Sequence, residues 1–325
     1  MDRTQRLLAI VLAAQIALLG ILRFAFSPSQ AAAKEQPLLP ALASMTPAKL
    51  EIDDGTGASV AFERAGGAWT LENPKGYPTA AGKVEKVIED VEHVSAGRPV
   101  VTNRGHHAAL KVADDQFERR IRIWEKPDGK PSAELYVGSS PRFQVSHVRV
   151  GGKDPVYEAS GLNSYDLSAE PAQWVDRNLI TASADAVSGL AIRNAKGSFE
   201  LEKAGGAWSV RAPAARVRAR LDAQKVTDLV RTLCGMSLDA PAGVVDEKAQ
   251  GLADPAATIT LRLAPAPGDS TATPPPPVVV RIGAPVPGRG DQHYAARSGF
   301  GFAALVGKYS VDKVLDATVE SLTAK

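Results

Sequence analysis

The chain has 325 residues, long enough for about two ordinary domains, and its 44% hydrophobic and 23% charged residues are close to globular averages. Thirty-eight basic residues against 36 acidic ones leave a formal net charge of +2, which excludes a general electrostatic drive toward nucleic acid. The single cysteine, Cys234, excludes an intrachain disulfide and any metal site built from several cysteines.

In chain order, residues 1–30 come first and differ from everything after them. Arg3 and Arg6 precede an apolar run carrying Leu7, Leu8, Ile10, Val11, Leu12, Ile16, Leu18, Leu19, Ile21 and Leu22, followed by Arg23. The length and flanking charge predict a single-pass membrane anchor or an uncleaved signal segment, with the rest of the chain extracytoplasmic. An Ala-x-Ala pattern ending at Ala33 offers the competing reading, a cleaved signal peptide. Residues 31–47, rich in Ala and Pro, read as a tether.

The stretch RAGGAWTLENP at residues 64–74 returns, little changed, as KAGGAWSVRAP at residues 203–213. Around each lies the same pattern: a strand, a turn, a second strand, a Gly-Gly turn and a third strand. Gly66-Gly67 and Gly205-Gly206 are hairpin signals, because glycine reaches positive φ without a Cβ penalty. Trp69 and Trp208 then fall on the face that should cover a helix. That helix is legible in both copies. Val84, Val87, Ile88 and Val91 follow the i, i+3, i+4, i+7 pattern, and Val226, Leu229, Val230 and Leu233 repeat it. Thr79 and Asp222 are candidate N-caps.

Each helix is followed by paired strands, RRIRIW and AELYVG in one copy, TITLRL and VVVRIG in the other. Further hairpins place His147 and His293 in comparable positions, and each copy closes with a short tail expected to be helical. The predicted architecture is α+β. It comprises an N-terminal transmembrane helix, the tether and two tandem duplicated domains, 48–180 and 181–325, each with a mainly antiparallel sheet packed on an amphipathic helix.

The GGAW turn, the W-x-L strand, the Gly76-Tyr77-Pro78 approach, the KVEKVI helix and the Leu-Tyr-Val-Gly strand resemble the family called domain of unknown function 4340. The second copy fits more loosely, because ARVRARLD replaces the Tyr-Pro approach. The resemblance implies a membrane-anchored extracytoplasmic protein associated with ABC transporter components of the gliding-motility type. It carries over no catalytic residues.

Sites of chemistry are sparse. His106 and His107 are adjacent and would diverge rather than share an ion. His147 and His293 lack an accompanying acidic or cysteine cluster at ligand spacing. GFAALVGKYS departs from a phosphate-binding loop in its glycine spacing and in Tyr309 after the lysine. No cofactor or metal is expected. Arg216, Arg218 and Arg220 alternate with apolar residues and form a candidate contact for lipid head groups or an acidic partner. The leading functional expectation is a non-enzymatic, membrane-anchored scaffold or accessory protein binding envelope or ABC-transporter proteins. The alternative is a periplasmic ligand- or polymer-binding module using a cleft between the copies, for which Tyr77, Trp124 and Tyr165 are candidates.

Overall fold

The computed structural model describes residues 12–18, 35–216, 220–265 and 274–324. In the first copy the strands are β1 (Lys49–Asp54), β2 (Ser59–Ala65) and β3 (Ala68–Leu71), then, after helix α1 (Lys83–His93), β4 (Arg119–Trp124), β5 (Ala133–Val137), β6 (Val145–Val150) and β7 (Val156–Ser160). They form one antiparallel sheet in the order β3-β2-β1-β4-β5-β6-β7. The second copy has β8 (Val187–Asn194), β9 (Gly197–Ala204), β10 (Ala207–Ala212), α2 (Ala223–Cys234), β11 (Ala240–Val244), β12 (Ala257–Leu263), β13 (Val278–Val286), β14 (Arg289–Arg297), β15 (Phe302–Gly307) and α3 (Lys308–Leu315). Its sheet runs β10-β9-β8-β12-β13-β14-β15-β11. Leaving β11 aside, the two orders are the same. In the first copy the counterpart of β11 shrinks to a bridge between Val101 and Val156. A two-residue pair, Gln36–Pro37 with Ser95–Ala96, makes a third, minimal sheet.

Alternation sorts the central strands into an apolar inner face and a more polar outer face. Leu50, Ile52, Ile121, Ile123 and Leu135 point inward on the first sheet, and Leu190, Ile192, Ile259, Leu261 and Ile282 on the second. Helix α1 covers the first inner face with Val84, Val87 and Val91, while α2 contributes Val226, Leu229, Val230 and Leu233. Each such side chain contributes about 1.5–3 kcal/mol on burial. Most buried apolar residues of both copies form one connected cluster, and two small satellite clusters lie apart from it.

Two features of the expected fold class are corrected. The architecture is mostly β rather than α+β, since the lone helix between the third and fourth strands of each copy is outweighed by seven or eight strands. The tail 162–168, expected to be helical, forms turns instead. The expected transmembrane helix is also not found, because among the described residues no helix is long and apolar enough to cross a membrane. Leu12, Ile16 and Leu18 lie in a helical stretch within the described residues 12–18. Leu7, Leu8, Ile10, Val11, Leu19, Ile21 and Leu22 fall outside the described residues. The N-caps differ as well. Asp222 caps α2 by accepting the Gln224 and Lys225 N–H groups, whereas α1 begins after Gly82 without a side-chain cap. The Thr79 hydroxyl donates to the Trp69 carbonyl instead.

The outer faces are covered by a second duplicated device. In the first copy Leu110 N–H donates to His106 O and Val112 N–H to His107 O, and in the second Gln250 N–H donates to Asp246 O and Leu252 N–H to Glu247 O. Both loops turn on a residue with positive φ, Lys111 at 56° and Gly251 at 64°. The Leu110 and Gln250 carbonyls press against Gly138 and Gly283, where an added Cβ would lie 2.1 Å from each oxygen. Alanine at either glycine has to displace backbone, so Gly138→Ala and Gly283→Ala should each cost about 2–3 kcal/mol, the upper part of the overpacking range. Gly290→Ala, which meets nothing within 4 Å, should stay within about 0.5 kcal/mol. Urea unfolding of the three variants checks this.

Candidate functional site

Residues 174–180 join the copies and are zipped to the second one. Leu238 N–H donates to Arg177 O at 2.9 Å, and Leu179 N–H donates to Met236 O at 3.0 Å. Trp174 returns to the first copy, where its ring meets Phe62 edge-on at 4.9 Å and its indole N–H donates to Ser168 O. Beside this joint, the Gly76-Tyr77-Pro78 approach of the first copy meets the turn and strand 299–302 of the second. Gly76 holds φ at 77°, and the Leu71 N–H donates to Tyr77 O, which fixes the tyrosine. Tyr77, Phe300 and Phe302 pack with ring centroids 5.1–5.7 Å apart, in tilted or edge-on geometry that suits the aromatic quadrupole.

Between these rings, Leu179, Leu238, Ala295 and Ala304 lies a cavity of about 100 Å³. Its polar lining comes from Tyr77, Thr79, Asp176, Asn178 and Arg297. Burial pushes the Tyr77 hydroxyl up to about 12, with Arg297 opposing and Asp176 adding to the rise. The phenol is therefore a neutral donor at physiological pH. One carboxylate oxygen of Asp176 accepts the Asn178 N–H at 3.1 Å, and the Arg297 guanidinium sits 5.3 Å from the Phe300 ring centroid.

The candidates read from sequence separate. Tyr77 lies in the junction cavity. Trp124 is buried on the outer face of the first sheet beneath Lys49 and Arg122 and donates to Gly129 O. Tyr165 is 93% exposed and lines a groove along α1 with Lys83, Lys86 and Asp90. Its counterpart is Tyr309, 74% exposed, in a groove along α2 with Lys225, Asp228 and Thr232. Gly66, Gly67, Gly205 and Gly206 all take positive φ and close the β2–β3 and β9–β10 hairpins. Trp69 is buried in the core, whereas Trp208 is half-buried beneath Lys203. Arg216 ends a short 3-10 turn and pairs with Glu320 at 2.6 Å, Arg220 is exposed, and Arg218 falls outside the described residues.

His147 and His293 do not form a matched pair. Val148 faces Val137 across β5–β6, as Ala295 faces Ile282 across β13–β14, so the counterpart of His147 is Tyr294. A one-residue offset reverses the sheet face. His147 meets Ser139 on the outer side, while His293 sits near Asp312 and Lys308 of α3 with its Nδ1 buried and unpartnered among the described residues. Among those residues no group of three His, Cys, Asp or Glu side chains is placed to hold a metal ion. Glu51 and Asp53 pair with Arg120 and Arg122 on the outer face, where burial raises the Glu51 pKa against the pull of Arg122. Burial likewise pushes the half-buried Cys234 thiol up.

A family model described as Domain of unknown function (DUF4340) matches residues 69–255, more than half of the chain. The chain belongs to the DUF4340 family. No curated protein and no solved structure matches it. The DUF4340 match begins at Trp69 of the first copy and ends in the loop before β12 of the second, so it spans the 174–180 joint and both helices.

Burial lowers the His293 pKa below its usual 6.5. The native state therefore disfavours the proton that the unfolded chain accepts. The stability from neutral His293 is present above about pH 6.5 and is lost as pH falls through the lowered value. Thermal unfolding at pH 7.5 and pH 5.0 should show a smaller acid-induced drop in Tm for His293→Gln than for the unsubstituted chain.

Proposed function

We propose that this DUF4340 protein is a non-enzymatic binding protein whose recognition site is the cavity at the junction of its two copies. The observation that carries this reading is the aromatic cluster of Tyr77 with Phe300 and Phe302, which draws one wall from each copy and leaves space between them. A mostly apolar recess with a few convergent polar groups is the usual form of a small-molecule site. Its polar lining suits recognition rather than proton transfer: an arginine, an asparagine and a tyrosine held protonated, with one carboxylate at the mouth. Benzyl alcohol, a neutral single-ring aromatic probe, should perturb the amide resonances of Tyr77, Leu179 and Phe302 saturably. Phe302→Ala should shift that response, since it removes one wall. Absence of saturable shifts at the junction would overturn the reading.

A second reading is favoured by the matched grooves that place exposed Tyr165 and Tyr309 beside equivalent faces of α1 and α2. Exposed tyrosines on helix-lined grooves suit protein contact. On this reading the protein is an accessory subunit that docks envelope proteins, such as ABC-transporter components, through two similar surfaces. Near-stoichiometric crosslinked capture of the same subunits should fall at least tenfold in the Tyr165→Ala/Tyr309→Ala double variant. Unchanged capture would count against it.

A further inference from the structure

The junction cavity is lined by one arginine, Arg297, and one carboxylate, Asp176. Some arginines on the sheets have carboxylate partners: Arg281 makes a two-pronged pair with Glu247 at 2.6 and 2.7 Å, and Arg120 pairs with Asp53 at 3.0 Å. Arg297, among the described residues, has no such ion pair, and its guanidinium rests against Phe300. It is a planar donor fork set beside an apolar recess. Tyr77 and Asp176 line the same cavity.

We propose that the junction cavity takes a small organic monocarboxylate, its carboxylate on the Arg297 guanidinium and its apolar body against Tyr77, Phe300 and Phe302. This rests on the reading of the junction as a binding site and names the ligand class. A carboxylate matches the guanidinium fork with two parallel hydrogen bonds, and a partly dehydrated site strengthens them. Size limits the apolar body. An engineered cavity of about 150 Å³ in another protein accommodates benzene, so about 100 Å³ admits nothing larger than a single ring or a short branched chain. Asp176 limits the charge, because a second carboxylate or a phosphate dianion at the mouth meets a like charge. The neutral Tyr77 phenol supplies one further donor.

The test is titration of the purified full chain with benzoate, benzyl alcohol and benzylammonium, followed by calorimetry and by amide shifts at the junction. Benzoate should bind at least tenfold more tightly than benzyl alcohol, and benzylammonium more weakly than either. Arg297→Gln should bring benzoate to the level of benzyl alcohol, and Arg297→Lys, which keeps the charge but loses the fork, should fall between. The comparison of the three probes on the unsubstituted chain decides the matter even where a variant folds poorly. Benzoate binding no tighter than benzyl alcohol, or a benzylammonium preference, overturns the carboxylate assignment while leaving the junction site standing. If none of the three probes binds there, both fall together.

Discussion

The arrangement depends on how one short segment is held at both ends. Trp174 is fixed in the first copy by Phe62 and by its hydrogen bond to Ser168 O, and three to five residues later the chain is bound to the strand-like stretch 236–238 of the second. That leaves little freedom between the sheets. It brings the Gly76-Tyr77-Pro78 approach against Phe300 and Phe302, so the cavity is a consequence of the joint. The continuity of the buried core through both copies has the same origin.

Duplication explains the rest of the plan. Each copy lays its inner sheet face on the helix that follows its third strand, joined in the second copy by α3, and its outer face under one loop, and each loop is seated on a glycine that admits a carbonyl. The copies diverge where they meet. The first supplies the tyrosine approach, and the second supplies β11, which extends its sheet toward Pro74 and residues 171–173. An unequal pair of halves yields one junction rather than two equivalent sites.

The hairpins and both helices were legible because their signals are local. Gly66-Gly67 and Gly205-Gly206 state a turn, and the spacing of Val84, Val87 and Val91 states a helix, without reference to distant residues. The outer loops were also written in the sequence, as ALKVAD and AQGLAD at residues 109–114 and 249–254, yet their role depends on Gly138, just past β5, and Gly283 in β13, both reached later in the chain. The candidate site was less legible. Tyr77 stood out through its Gly-Tyr-Pro setting, but Arg297, Phe300 and Phe302 carry no motif and gain meaning only from long-range packing. His147 and His293 misled because similar sequence positions differ by one residue of register.

The most direct measurement is a crystal structure of the chain grown with saturating benzoate. Ordered density for the ring between Tyr77, Phe300 and Phe302, with its carboxylate within hydrogen-bond distance of Arg297, is the expected result. Density only elsewhere on the molecule, with water alone at the junction, would contradict the assignment of the junction as the recognition site.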